Sequence, residues 1–146
     1  MMTQEELRTG DWVWFITNKI PCRITEIYTT LDGSAKKMVS LSSNAGERYC
    51  VEMSEIEPIR LTPEILGQNG FETSDFNSPW ITCWRAYGEN GDDDIEVEFH
   101  NDTGAIHIKL DVVGTYLSTT MIETVNGLQH VFADHHINVK LTVTKR

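Results

Sequence analysis

The chain has 146 residues, 40% hydrophobic and 9% aromatic, with a net charge of −10. That length can bury a core without disulfides or a structural metal, and the composition is that of a globular protein rather than a disordered one. No apolar run approaches the ~18 residues of a membrane helix, and no basic run exceeds two residues, as in Lys36-Lys37, which argues against direct nucleic-acid binding.

The first half reads as β. Gly10-Asp11 is a turn pair, and Trp12, Val13, Trp14, Phe15 and Ile16 are strand formers, so a strand is expected over 10–17. A turn at 18–21 leads to a second strand over 22–30. The Asp32-Gly33 turn leads to a third over 36–43, and the turn at 44–47 to a fourth over 48–56. Short strands at this spacing, with turn chemistry between them, point to a small antiparallel barrel or sandwich.

The middle changes character. Thr62 is an N-cap residue, Pro63 suits the first helical position and Glu64 complements the positive end of the dipole. Gly67 weakens the element and Asn69-Gly70 stops it. A helix of about two turns is too short to stand alone, and Ile65, Leu66 and Phe71 are the residues expected to dock it. Residues 72–79 read as a loop.

A three-stranded meander follows. Its first strand covers 80–87. In the second, Ile95, Val97 and Phe99 alternate with Glu96, Glu98 and His100; in the third, Ile106, Ile108, Leu110 and Val112 face inward. The turn at 101–104 pairs Phe99 with Ile106 and Val97 with Ile108. The same register sets Glu98 opposite His107 and Glu96 opposite Lys109 on a face expected to be wet. From Thr120 to about His135 the spacing of Met121, Val125, Leu128 and Phe132 gives one apolar helical stripe. Alternation returns at Ile137, Val139, Leu141 and Val143, where a final strand is expected.

The densest group of reactive side chains is His130, Asp134, His135 and His136. His130 and Asp134 are four apart on the helix and can meet, and with His135 they form a candidate metal or hydrolase set. A zinc site needs further ligands, and His100 and His107 lie on the hairpin's outer face, away from the face on which the helix should pack. Histidines at a helix end also satisfy orphan carbonyls and complement the dipole, so a helix end is the reading adopted and no metal or cofactor is assigned. The run Asp92-Asp93-Asp94 lacks the order of a calcium loop and reads as a solvated turn. No nucleophile elbow, zinc-protease, phosphate-loop or dinucleotide motif is present, and the chain is not expected to be an enzyme.

Trp12 with Trp14, and Trp80 with Trp84, are separated by even spacings, so within a strand each pair shares a face. Turned inward they are core; turned outward they form a platform for sugars, peptides or bases. The strand holding Trp12 and Trp14 is apolar on both faces, so one face needs cover, from the second half of the chain or from another subunit.

Cys22, Cys50 and Cys83 are odd in number and without a C-x-x-C spacing, which points to buried thiols in a reducing compartment. The opening residues lack the basic-then-apolar order of a secretory signal, and a cytoplasmic location is expected. Residues 71–146 hold twelve acids against five bases, so most of the negative charge lies there. A basic protein is the expected partner, with a homo-oligomer as the other prospect.

Two phrases, "EELRTGDWV" and "IEPIRLTPEILGQNGF", resemble a family of short, uncharacterised proteins common in gut-anaerobe genomes and their mobile elements. Leu61, Thr62, Glu64, Leu66, Gly70 and Phe71 match its middle phrase, and Leu128-Gln129 its last. The resemblance implies a small β-barrel first and a helix near the end, and it brings no activity, cofactor or site residues. The expected fold is α+β. Residues 1–60 form a small barrel of the Src-homology-3 type, 61–79 a short helix and loop, and 80–146 a β-meander with one packed helix and a final strand. The expected function is a non-enzymatic interaction module that binds protein through aromatic and acidic surfaces. The alternatives are a small-ligand or sugar binder using an exposed Trp pair, and a metal-dependent hydrolase using His130, Asp134 and His135.

Overall fold

The computed structural model describes residues 7–73, 78–87, 94–112, 115–135, 137 and 139–144. Antiparallel sheets and helices make it an α+β protein. The chain divides into two units. One holds Met1–Arg60, Thr124–Asn126 and Thr142–Arg146; the other holds Leu61–Glu123 and Gly127–Leu141.

In the first unit, Gly10 at φ +93° makes the turn into the first strand. The buried Asp11 carboxylate accepts from the Arg8 backbone N–H at 2.8 Å, which satisfies a donor at that turn. The strands are β1 (Trp12–Phe15), β2 (Ile20–Thr29), β3 (Lys37–Ser43), β4 (Arg48–Glu52) and β5 (Ile56–Pro58). They form one antiparallel sheet in the order β4-β3-β2-β1-β5. Val13 and Phe15 pack with Ile24, Val39, Leu41, Val51, Met53 and Ile56 in the core. Along β2 the register shifts between Ile24 and Glu26, so the inward residues Ile24 and Ile27 are three apart rather than two.

The strand expected over 48–56 is divided. A 3-10 turn at Met53–Glu55 separates β4 from β5, and the Glu55 carboxylate accepts from the Glu52 N–H at 2.9 Å. Met53 and Ile56, three apart and both buried, are the trace of that turn in the sequence. Among the described residues no ladder joins β5 to β4, so the sheet is open in its hydrogen bonding.

In the second unit, α1 (Pro63–Gln68) follows its caps closely. Thr62 Oγ1 accepts from the Ile65 N–H at 3.3 Å. Past the end, Gly70 stands at φ +84°, the Gly70 N–H bonds Gly67 O and the Phe71 N–H bonds Leu66 O. That pair of bonds is the left-handed helix stop which glycine permits. Ile65, Leu66 and Phe71 are all buried. A Cβ at Gly67 would lie 3.6 Å from Trp84 Cζ3, an ordinary contact distance. Gly67→Ala should therefore stabilise the protein by about 0.5–1 kcal/mol through helix propensity. Gly70→Ala should cost about 1–2 kcal/mol, because its backbone is left-handed. Urea titrations of the two variants should move in opposite directions, and a loss in both would mean that Trp84 is packed too tightly to admit the methyl.

The second sheet is larger than the meander expected. β6 (Glu72–Thr73), β7 (Ile81–Tyr87), β8 (Asp94–His100), β9 (Ile106–Val112) and β10 (Thr115–Ile122) run antiparallel in the order β10-β9-β8-β7-β6. The hairpin register is the one expected: Phe99 pairs with Ile106, Val97 with Ile108, Glu98 with His107 and Glu96 with Lys109. Ile95, Val97, Ile106, Ile108 and Leu110 are buried.

The C-terminal helix is shorter than expected. α2 runs Val125–Asp134, and Thr120 and Met121 belong to β10 instead. β-Branched and aromatic residues favour a strand there, and a register shift between Ser118 and Met121 breaks the alternation that would have revealed it. Val125, Leu128 and Phe132 are buried as the stripe requires. No strand forms at the described residues of 137–144. Ile137, Leu141 and Val143 are nevertheless buried, so the alternation there reports a burial face without a ladder. Residues 74–77, Asp92, Asp93 and His136, for which a loop, an acidic turn and a helix end were expected, lie outside the described residues.

Candidate functional site

Directly paired residues in adjacent strands share a face. On the face of the second sheet opposite Val97 and Ile108, β8 contributes Glu96, Glu98 and His100, and β9 contributes His107 and Lys109. β7 adds Cys83 opposite Glu98 and Arg85 opposite Glu96. This face is drier than alternation implies: the Glu98 side chain is 12% exposed and Cys83 is 3% exposed.

Ion pairing departs from the register. Lys109 Nζ reaches diagonally to Glu98 Oε2 at 2.9 Å, while Arg85 faces Glu96 at 3.8 Å. His100 Nε2 lies 3.4 Å from Glu98 Oε1, and the rings of His100 and His107 meet at a tilt of 43° with centroids 4.3 Å apart. Burial alone would raise the Glu98 carboxyl, but the hydrogen bond and charge of Lys109, with His100 beside it, outweigh that and hold it below its ordinary value. Burial, with Glu96 and Glu98 adding to it against Lys109, pushes the Cys83 thiol up to about 11. A thiol so raised is neutral at physiological pH and a poor nucleophile. Cys83 Sγ and one oxygen each of Glu96 and Glu98 lie within 4.8 Å of one another, the one group of three or more such donors among the described residues.

The helix-end histidines are not gathered in that way. His130 is half-buried, Asp134 is exposed, and their ligand atoms do not converge with those of His135. His135 turns back on its own helix: Nδ1 lies 2.9 Å from Val131 O, and its N–H bonds the same carbonyl at 3.1 Å. That is the contact a histidine makes at a helix end.

The tryptophans separate individually rather than by pairs. Trp12 is 3% exposed and Trp14 half-buried, on the face of β1 opposite Val13 and Phe15. Trp84 is half-buried on β7, and its Nε1 has no hydrogen-bond partner among the described residues. Trp80 precedes β7 and is 65% exposed. Its backbone is held: the Asn101 N–H bonds Trp80 O at 2.7 Å, and Ser78 Oγ accepts from the Trp80 and Ile81 N–H groups at 3.3 and 3.1 Å. Ile16 and Leu31 are the other large exposed apolar side chains among the described residues.

Sequence reasoning placed Glu98 with His107 and Glu96 with Lys109 but did not bring Cys83 and Arg85 to them. The missing link was the register of β7 on β8, which the long acidic connection at 88–93 conceals. No family model, curated protein or solved structure matches the chain.

Proposed function

We propose that the protein is a non-enzymatic interaction module that binds a protein partner, with Trp80 as the anchor of its contact surface. The observation that carries this reading is a large aromatic side chain left 65% exposed on a backbone tied down by Asn101 and Ser78. Tryptophan is enriched among the residues that dominate interface energies, and a fixed backbone lowers the ordering cost of binding. The net charge of −10 favours a basic partner, through steering rather than through affinity alone.

The first unit is read as a small barrel of the Src-homology-3 type. The strand order β4-β3-β2-β1-β5 and the 3-10 turn before β5 support it. An origin in mobile elements rests on the two resembling phrases. A cytoplasmic setting is supported by the absence of any disulfide among the three cysteines. No helix among the described residues is long and apolar enough to cross a membrane. The sugar-binding alternative calls for a pair of exposed rings, and Trp84 is half-buried behind Gly67, which leaves Trp80 by itself. The hydrolase alternative has no converging His130–Asp134–His135 set to support it.

The test is capture from a lysate of the source cell on the immobilised protein, wild type against Trp80→Ala, at low and high salt. The variant should lose a specific, salt-sensitive protein band, with a fall in affinity of about thirtyfold or more. Its unfolding free energy should stay within about 0.5 kcal/mol of wild type. Equal capture by both proteins would sink the reading.

A further inference from the structure

The cluster on the outer face of the second sheet is a mixed set of sulfur, oxygen and nitrogen donors drawn from β7, β8 and β9. Two glutamates there meet two cations, Arg85 and Lys109. Yet a nearly buried thiol is set among those carboxylates, with an imidazole on the far oxygen of one of them. Such a donor set suits borderline-soft divalent ions, not calcium or magnesium, which take oxygen.

We propose that this face binds one divalent cation of the zinc class, with Cys83 Sγ, the Glu98 carboxylate and His100 Nε2 as its protein donors; Glu96, four residues from His100 along the same strand, stays with Arg85. Zinc–sulfur and zinc–nitrogen or –oxygen bonds of about 2.3 and 2.0 Å place tetrahedral ligand atoms about 3.3–3.6 Å apart. His100 Nε2 and Glu98 Oε1 are already 3.4 Å apart, and Cys83 Sγ and Glu98 Oε2 are 3.9 Å apart. Cys83 lies directly opposite Glu98, and His100 is two residues further along β8, so closure asks for side-chain rotations and no movement of strands. His107, whose ring lies tilted against His100 with centroids 4.3 Å apart, supports the ring that must turn.

Lys109 is the resting counter-cation. Its ammonium occupies Glu98 Oε2 at 2.9 Å, and its side chain is 36% exposed, so it can swing into solvent when a metal arrives. Cys83 gives its proton to solvent as the metal–sulfur bond forms, and Arg85 remains beside Glu96 as the outer charge.

The experiment uses the full chain, purified without an affinity tag and stripped with a chelator. Zinc is titrated by calorimetry, and cobalt(II) is added in parallel to read the thiolate charge-transfer band. One ion per chain and a cobalt–thiolate band are expected. Cys83→Ser should abolish the band and weaken zinc by about 100-fold or more, since outer-shell changes alone cost 10–100-fold. His100→Gln, at a half-buried site, gives an independent loss should the serine variant misfold. Lys109→Gln should bind about fivefold more tightly, the scale of one partly exposed ion pair. A cluster that exists only to balance charge would bind nothing in any variant, and that result overturns the proposal. Stoichiometric zinc without a thiolate band, or zinc unaffected by both ligand substitutions, places the ion elsewhere and overturns it equally.

Discussion

Replacing Leu41 with alanine is expected to destabilise the protein by about 2–5 kcal/mol. Leu41 is fully buried near the middle of β3, opposite Ile24 on β2 and Tyr49 on β4. It belongs to the cluster formed by Val13, Phe15, Ile24, Val39 and Val51. Strands on both sides hold the backbone, so the neighbours can collapse only partly into the space left, and the cavity adds to the lost transfer energy. Urea unfolding followed by circular dichroism should show a lower midpoint with an unchanged slope. Leu31→Ala, at a fully exposed turn position, is the control and should change stability by no more than about 0.5 kcal/mol. A Leu41 variant that matched this control would show that the sheet's inner face is not close-packed.

The second large effect is expected from removing residues 142–146. Val143 is fully buried, and its carbonyl accepts from Asn44 Nδ2 at 2.8 Å, ninety-nine residues away in sequence. Both residues belong to the first unit. Burying a valine contributes about 1.5–3 kcal/mol, and a net hydrogen bond about 0.5–1.5 kcal/mol. Losing both should cost about 2–4 kcal/mol, and the protection of β3 and β4 amides against hydrogen exchange should fall with it. Val143→Ala should reproduce part of the loss with the backbone bond intact. Unchanged exchange in the truncated chain would remove the last segment from the first unit.

Much of the fold was legible where local pattern and packing agree. Thr62, Pro63 and Asn69-Gly70 mark α1 because capping is a property of a few adjacent residues. The β8–β9 register was legible because the core pattern of Val97, Phe99, Ile106 and Ile108 and the turn length demand the same pairing. Legibility failed where the pattern depends on partners distant in sequence. β10 was hidden by its own irregularity between Ser118 and Met121, and β5 by the 3-10 turn that breaks alternation after Glu52. At 137–144 the alternation was real but reported burial alone.

The candidate site shows the same division. Glu98 and His107 were matched by local register, whereas the placement of Cys83 required β7 to find β8 across a connection whose length says nothing about register. Even with the register known, the ammonium of Lys109 goes to Glu98 rather than to Glu96 directly opposite. A long flexible side chain selects the better-buried carboxylate, because an ion pair gains strength as water is excluded from it.

The discontinuity of the first unit also has a consequence for synthesis. Its strands are all made by Pro58, yet Thr124–Asn126 and Thr142–Arg146, which complete it, follow much later. At about 5–20 residues per second, the ribosome needs on the order of ten seconds to travel from Arg60 to Thr142. Throughout that interval the nascent unit lacks Val143 and its bond to Asn44, and β4 and β5 stand as unpaired edges among the described residues. Strand edges of that kind are where neighbouring chains can add. That interval is therefore when the protein has most need of a chaperone.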